Sequence, residues 1–125
     1  NIPAGKTLSY GHTFVAPASM RIATLTAGYG DGYHRAISGR GCVLIHGIMC
    51  PILGRITMDQ MIVDVSSVEG ASSGDEAVLI GKQGKEEITR HWMIIKLKVH
   101  YSYLCRWIKP WISRMLTFTA RPCMV

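Results

Sequence analysis

The sequence predicts a mainly β fold, a small antiparallel β-barrel or sandwich, for residues 1–89. Short apolar runs recur along this stretch, and glycine-bearing turns separate them. Small antiparallel barrels and sandwiches have this pattern, since each short strand ends at a tight corner. Residues 90–125 have a different composition and no clean apolar period. For this tail we expect an irregular or helical structure.

The first strands are predicted from apolar runs. Residues 8–16 and 20–27 are the first two strand candidates. Residues 43–45 and 51–53 are short apolar runs on either side of His-Gly-Ile-Met (46–49). We interpret residues 46–49 as the turn of a hairpin, because glycine at such a place supplies the positive φ of tight hairpin turns.

The later strands follow the same reasoning. Residues 60–65 alternate in polarity, which predicts a strand with one apolar face. The residues of that face are Met61, Val63 and Val65. Ser-Ser-Gly-Asp (72–75) has turn composition and precedes the apolar run 77–80. Gly-Lys-Gln-Gly (81–84) is expected to end that last strand.

Charge divides the chain at Thr89-Arg90. Residues 1–89 carry seven Lys or Arg and all eight Asp or Glu, whereas residues 90–125 carry seven Lys or Arg and no acid. All three tryptophans also lie in the tail. A shift of reading frame in the coding DNA would produce such a change, and a diverged but genuine tail is the alternative. Residues 107–109 could end a helix, since the residue before Pro110 disfavours the α region.

Length and cysteine usage narrow the class of protein. A chain of 125 residues suits one domain, and no apolar run reaches the length of a membrane-spanning helix. Residues 1–6 lack an initiator Met and an apolar segment, so we expect the middle of a longer protein and no signal peptide. The cysteines show no Cys-x-x-Cys spacing, which favours reduced thiols in a cytoplasmic protein without a metal site. They are Cys42, Cys50, Cys105 and Cys123.

Three phrases hold residues suited to chemistry. They are Ser-Tyr-Gly-His-Thr-Phe (9–14), Gly-Tyr-Gly-Asp-Gly-Tyr (28–33) and Gly-Arg-Ile-Thr-Met-Asp-Gln (54–60). In this order and spacing they resemble the carboxy-terminal domain of alanine racemase, a pyridoxal-phosphate enzyme that interconverts L- and D-alanine. Gly-Asp-Glu-Ala-Val-Leu-Ile-Gly (74–81) matches the same family as a structural turn and strand. The resemblance covers roughly residues 4–89 and implies the small β-barrel of that domain.

Tyr10 is the candidate catalytic residue. Racemisation needs two acid/base groups on opposite faces of Cα, each with a pKa useful near neutral pH. The resemblance implies that Tyr10 is one of them, reaching into the cofactor site of the partner subunit. A phenol has an ordinary pKa of about 10, so this role needs a positive neighbour. The other interpretation of the residue alone is a strand tyrosine packed on a core.

The other two phrases supply binding residues by the same resemblance. Met58 is implied to bind the substrate carboxylate through its backbone N–H, with Asp59 beside it. Tyr29 is implied to line the inner entrance of the site, and Arg35 and Arg55 the corridor leading to it. From the sequence alone, the alternative interpretation of Arg35 is a solvated arginine on a loop. For Met58 the alternative is a buried methionine at the end of a strand. The alternating glycines of 28–33 predict tight turns with positive φ.

The resemblance weakens after Thr89. The family has a Thr-Ile-Asn-Tyr-Glu-like strand with a further active-site tyrosine there. Tyr101 stands four residues before Cys105, as that tyrosine does, but Ser102 replaces the acid. Tyr101 is therefore a further candidate for the active-site entrance, and its spacing from Cys105 is the sole ground for including it. A tail unable to complete the barrel would leave strand edges unpaired.

The resemblance also implies what the chain does not contain. Alanine racemases hold the cofactor lysine in an amino-terminal (β/α)₈ barrel, and they work as homodimers with composite sites. No lysine of this chain lies in a cofactor-lysine motif, so we expect an inactive fragment that binds no pyridoxal phosphate. In the complete enzyme the substrate would be alanine, which serves D-alanine and peptidoglycan precursor synthesis.

Alternatives remain open at this stage. Related domains occur in racemases of other amino acids and in basic-amino-acid decarboxylases. A binding module is a second class, in which the basic, Trp-bearing tail contacts nucleic acid. The β-rich residues show no basic stripe, which argues against that module. A membrane-surface helix is disfavoured because Pro110 interrupts the one amphipathic candidate.

Overall fold

The computed structural model describes residues 1–89 and 118–121. Its strands are short and joined by turns and single 3₁₀ turns. The strands of these residues are β1 (Thr7–Leu8), β2 (Phe14–Val15), β3 (Ile22–Leu25), β4 (Cys42–Ile45), β5 (Ile48–Leu53), β6 (Met61–Asp64), β7 (Glu76–Val78), β8 (Gly81–Gln83), β9 (Glu86–Ile88) and β10 (Phe118–Arg121). The 3₁₀ turns are Tyr10–His12, Tyr29–Asp31 and Arg35–Ile37.

Five of these strands form a curled antiparallel sheet in the order β3-β6-β5-β4-β7. Strand β10 pairs antiparallel with β3 at one edge and with β7 at the other, and this closes the barrel. The β1-β2 and β8-β9 pairs are separate two-stranded sheets. The predicted mainly β fold and small antiparallel barrel are therefore confirmed.

The core lies inside the barrel and takes side chains from strands and loops alike. Strand β6 alternates as predicted, since Met61 and Val63 are buried while Ile62 and Asp64 are only half-buried. All four residues of β4 are buried. Three loop residues, Tyr33, Ile37 and Ile56, are also buried in the same cluster. The loops between strands are thus anchored on the core, which fixes their position relative to the barrel.

Residues 8–16 do not form one strand, so that prediction was wrong. Strands β1 and β2 pair as Thr7 with Val15 and Leu8 with Phe14, and the 3₁₀ turn lies between them. Ser9, Gly11 and His12 have φ values of 67°, 72° and 50°. An extended ladder cannot pass through left-handed residues, so the chain reverses here.

Two turn boundaries also differ from the prediction. The β4-β5 turn is His46 and Gly47 alone, with φ of 51° and 74°, because Ile48 already pairs with Ile45. Positive φ at both residues is the geometry of a two-residue hairpin turn. Residues 81–83 do not end a strand but form β8, which pairs with β9.

The tail contributes one described strand. Strand β10 lies in the segment whose composition differs, and it pairs with both edges of the curled sheet. The described part of the tail thus completes the barrel, and the edges of β3 and β7 are paired. The predicted helix near residues 107–109, together with Tyr101, Cys105 and Cys123, lies outside the described residues.

The side chains of Cys42 and Cys50 are buried. Burial, with Asp64 nearby, raises the pKa of the Cys50 thiol to about 11. Within residues 1–89 and 118–121, no helix has the length and hydropathy needed to span a bilayer. The same residues bring no three His, Cys, Asp or Glu side chains together as a metal site.

The β4-β5 turn is held to the loop before β7 by a polar contact. His46 Nε2 lies 2.9 Å from Asp75 Oδ2. The same carboxylate accepts hydrogen bonds from the Ser72 N–H at 2.8 Å and from Ser72 Oγ at 3.2 Å. The Ser72 N–H is the largest of the causes that lower the pKa of Asp75, and His46 adds to it. The ionised carboxylate is therefore the form that the fold stabilises.

This lowered pKa predicts an acid-dependent stability. The contribution is present above the ordinary carboxyl pKa of about 3.9 and is lost as the pH falls through the lower folded value. In Asp75→Asn this part of the stability loss at low pH should be absent, so the urea midpoint should fall less between pH 6 and pH 3 than in the parent chain. Glu69→Gln, at an exposed acid, is the matched control, and its urea midpoint should fall with pH as in the parent chain. An equal fall of the urea midpoint in the parent chain and in Asp75→Asn would contradict the prediction.

Candidate active site

Tyr10 begins the 3₁₀ turn between β1 and β2, and its side chain is 69% exposed. We call residues 9–12 the tyrosine loop. The His12 N–H donates to the Ser9 carbonyl at 3.2 Å, and His12 Nδ1 is hydrogen-bonded to Thr7 Oγ1 at 2.7 Å. These local contacts stabilise the reversed chain. Tyr10 is therefore a surface tyrosine and not one packed on the core.

The tyrosine loop contacts the loop between β5 and β6, which we call the central loop (residues 54–60). Ser9 Oγ donates to the Arg55 carbonyl at 2.8 Å and accepts from the Arg55 N–H at 2.8 Å. A Cβ at Gly11 would lie 3.2 Å from a guanidinium nitrogen of Arg55. The positive side chain of Arg55 thus lies directly beside the residue that follows Tyr10.

A second loop, the glycine loop (residues 28–32), rests on the other side of the central loop. The Tyr29 N–H donates to the Thr57 carbonyl at 3.0 Å, and the Gly30 N–H donates to the Met58 carbonyl at 2.8 Å. A Cβ at Gly28 would lie 2.3 Å from the Thr57 oxygen and 2.4 Å from the Met58 oxygen. Only glycine permits so close a backbone approach.

The expected positive φ holds for only one glycine of this loop. Gly32 has φ of 92°, but Gly28 has φ of −146° and the positive-φ glycines do not include Gly30. Gly28 and Gly30 are required instead by the lack of space for a side chain against the central loop. The Gly28 N–H donates to Asp31 Oδ2 at 2.9 Å, and this bond closes the glycine loop on itself.

Met58 and Asp59 form the exposed tip of the central loop. Thr57 and Gln60 close its base, since the Thr57 N–H donates to the Gln60 carbonyl at 2.9 Å and the Gln60 N–H donates to Thr57 Oγ1 at 3.0 Å. Met58 is 56% exposed, so the buried strand-end alternative was wrong. Among the described residues the Met58 N–H donates no hydrogen bond, and it remains available to an acceptor outside the domain.

Arg35 and Tyr29 contact each other at the rim of the glycine loop. The Arg35 guanidinium carbon lies 5.8 Å from the centre of the Tyr29 ring, within the range of a cation–π interaction. Both side chains are exposed. Ser38 Oγ donates to the Arg35 carbonyl at 2.5 Å and accepts from the Ile56 N–H at 2.9 Å. The turn that carries Arg35 is thereby joined to the central loop.

Five of the six described candidates therefore lie on the tyrosine loop, the glycine loop and the central loop, and Arg35 lies on a 3₁₀ turn that Ser38 joins to the central loop. The central loop itself holds three of them, Arg55, Met58 and Asp59. Tyr101 lies outside the described residues. Sequence reasoning assigned no role to Ser9 or Ser38, whose hydroxyl groups join the loops. Hydroxyl contacts across 46 and 18 residues leave no periodic signal in a sequence.

Tyr33 follows the glycine loop and differs from the other two tyrosines described here. Its ring is buried in the core, and burial raises the pKa of its hydroxyl group. Within the described part of the chain, that hydroxyl has no hydrogen-bond partner. Tyr33 therefore anchors the end of the glycine loop through its ring.

The three described lysines are surface residues. Lys6, Lys82 and Lys85 are all exposed, and Lys82 and Lys85 belong to the β8-β9 hairpin. None of them lies on the three loops that meet at residues 54–60.

A model of the family described as "Alanine racemase, C-terminal domain" matches residues 1–115. The chain belongs to this family. Among curated relatives, the alanine racemase of Carboxydothermus hydrogenoformans is 52% identical over 88 residues, which are 70% of this chain and 24% of the relative. The broad specificity amino-acid racemase of Pseudomonas taetrolens is 46% identical over 88 residues, 70% of this chain and 22% of the relative.

Solved structures of family members have the same fold. The alanine racemase of E. faecalis superposes with a TM-score of 0.74 at 36% identity, covering 85% of this chain and 28% of that one. The alanine racemase of Bartonella henselae, with covalently bound pyridoxal phosphate, gives 0.71 at 30% identity, covering 78% and 26%. The chain spans about a quarter of the length of the curated relatives it matches.

The close packing at Gly28 predicts a large effect of one methyl group. Gly28→Ala should displace the carbonyls of Thr57 and Met58 and lower the free energy of unfolding by about 1–3 kcal/mol, as overpacking does. Gly39→Ala is the control, because a Cβ at Gly39 meets no atom within 4 Å and only its positive φ adds strain. Urea unfolding should show the larger loss for Gly28→Ala, with changed NMR shifts at Met58. A smaller loss than in Gly39→Ala would contradict the packing argument.

Proposed function

We propose that this chain is the carboxy-terminal domain of a pyridoxal-phosphate-dependent alanine racemase and supplies Tyr10 as one of its two acid/base groups. One observation carries the proposal. The loops bearing Tyr10, Tyr29 and Met58 meet at residues 54–60, and all three side chains are exposed in a domain of this family. Large apolar side chains on a surface favour contact with another surface or a ligand.

Tyr10 would act at the Cα proton of the substrate. Its phenol would donate or accept a proton on one face of Cα, while a base from outside this chain serves the other face. A phenol needs nearby positive charge to work as a base near neutral pH. The Arg55 side chain, beside Gly11, supplies such charge at the tyrosine loop. The cofactor of the complete enzyme would supply the electron sink that makes this proton removable.

The central loop would orient the substrate. We propose that the Met58 N–H donates to the substrate carboxylate, since this amide has no acceptor among the described residues. Asp59 would stand beside it at the same exposed tip. Tyr29, Arg35 and Arg55 would form the entrance, with Arg35 stacked on the Tyr29 ring. Two guanidinium groups at an entrance attract a carboxylate substrate.

The partners follow from the same exposed face. The chain covers about a quarter of its relatives, and the remainder would include an amino-terminal (β/α)₈ barrel with the cofactor lysine. We propose that the antiparallel β-barrel of this chain and its three loops pack against that amino-terminal domain and against a second subunit. Alanine is the proposed substrate. The Pseudomonas taetrolens relative, named a broad specificity racemase, makes other small amino acids the alternative.

The complete enzyme is proposed to act in the bacterial cytoplasm, a compartment that keeps thiols such as that of the buried Cys50 reduced. We further propose that residues 1–89 form the family domain and that residues 90–125 form a tail of anomalous composition. The nucleic-acid alternative rests on tail residues outside those described. The described loops give it no support, because basic and acidic residues are nearly balanced over residues 1–89.

The 125-residue chain alone should produce no D-alanine. Incubation with pyridoxal phosphate and L-alanine should give the rate of the free cofactor, because the described lysines do not lie at the candidate site. A chiral assay of D-alanine over time checks this. Turnover well above the free cofactor would show that the chain holds a complete site and would contradict the proposed division of roles.

Tyr10→Phe tests the proposed acid/base role in a complete enzyme. The test protein is a chimera in which residues 1–89 replace the homologous segment of the Carboxydothermus hydrogenoformans alanine racemase. Loss of the phenol should lower kcat by about 10²–10⁴-fold, the usual share of a general acid or base, with little change in KM.

Tyr33→Phe is the matched control for Tyr10→Phe. It removes a hydroxyl group that is buried and unpartnered among the described residues, so both kcat and KM should stay near those of the parent chimera. Full activity of Tyr10→Phe in the L-to-D direction would refute the catalytic assignment.

A further inference from the structure

We infer that Ser9 and Ser38 are positioning residues for the racemase reaction, an inference that rests on the proposed function. Their hydroxyl groups, which we call the serine pair, hold Arg55 and Ile56 from two different loops. One serine belongs to the tyrosine loop and the other directly follows the 3₁₀ turn of Arg35. Together they set where Tyr10 and Arg35 lie relative to Met58.

Ser9, the first residue of the serine pair, binds both polar backbone groups of Arg55. Ser9 Oγ accepts from the Arg55 N–H and donates to the Arg55 carbonyl, each at 2.8 Å. The contact is close, since a Cβ at Gly54 would lie 2.6 Å from the Ser9 Cβ. Because Ser9 precedes Tyr10 directly, a shift of this contact moves the phenol.

The second member binds the next residue of the central loop. Ser38 Oγ accepts from the Ile56 N–H at 2.9 Å and donates to the Arg35 carbonyl at 2.5 Å. The side chain of Ile56 is 1% exposed and ties this point to the core. Ser38 therefore joins the backbone of Arg35 to a residue that is fixed in the barrel.

Backbone pairing does not replace these contacts. Strand β5 ends at Leu53 and β6 begins at Met61. Among the described residues, no backbone carbonyl accepts from the N–H of Arg55 or Ile56. The serine pair is thus the described source of hydrogen bonds for these two amides, and loss of either hydroxyl leaves an amide unpaired.

The two serines should affect different kinetic constants. Ser9 sets the position of the acid/base group, so Ser9→Ala should lower kcat by about tenfold or more, because small misplacements of reacting groups are costly. Ser38 sets Arg35, whose guanidinium is stacked on Tyr29 at the proposed entrance. Ser38→Ala should therefore raise KM about fivefold while kcat changes less, as loss of uniform binding does.

The test measures kcat and KM of both variants in the chimera that carries residues 1–89. Ser19→Ala is the matched control, since among residues 1–89 and 118–121 Ser19 Oγ makes only a 3.4 Å contact with the Ile2 carbonyl, away from the three loops. Ser38→Thr keeps the hydroxyl and should restore the KM of the parent chimera. Amide exchange in the 125-residue chain should be faster at Arg55 in Ser9→Ala and at Ile56 in Ser38→Ala.

A kcat effect of Ser9→Ala, a KM effect of Ser38→Ala and rescue by Ser38→Thr would support the inference. Parent-like constants in both alanine variants, or equal losses in kcat/KM without this split, would overturn it. Tyr10→Phe separates the two proposals. Full activity of Tyr10→Phe with the split retained would overturn the role of Tyr10 and leave the serine pair as positioning residues for another group.

Discussion

The contact of Gly28 with the carbonyls of Thr57 and Met58 is the constraint on which the site depends. The glycine loop donates two hydrogen bonds to those carbonyls, and the absence of a Cβ lets the two backbones meet. This contact fixes the central loop with its tip exposed. The tyrosine loop and the turn of Arg35 then attach to the same loop through the serine pair.

The core anchors most of these segments, and none of the described candidate residues lies on a strand of the barrel. Tyr33, Ile37 and Ile56 are buried at the end of the glycine loop, in the turn of Arg35 and in the central loop, so these three segments have an apolar anchor in the core. Positions of functional side chains are most accurate when packed elements support them. The exposure of Tyr10, Tyr29 and Met58 contrasts with these anchors. Residues a few positions apart are thus either buried in the core or exposed at the surface.

The strands could be predicted where one face is buried. Strand β6 gave its alternating pattern because Met61 and Val63 face the core while their neighbours are less buried. Residues 8–16 misled the prediction, since left-handed φ at Ser9 and His12 carries no composition signal. The candidate residues came from phrases resembling a family. The roles of Ser9 and Ser38 depend on contacts between distant segments, which no local pattern contains.

Closure of the barrel has a consequence for the order of folding. Strands β4 and β5 are joined by two residues, whereas residues 79–117 separate β7 from β10. During synthesis the five-stranded sheet can pair before β10 leaves the ribosome, because local contacts form first and distant ones pay a larger loop-closure entropy. Until then the edges of β3 and β7 are open to other chains. Emergence of β10 from the ribosome thus ends a period of risk of aggregation for the nascent protein.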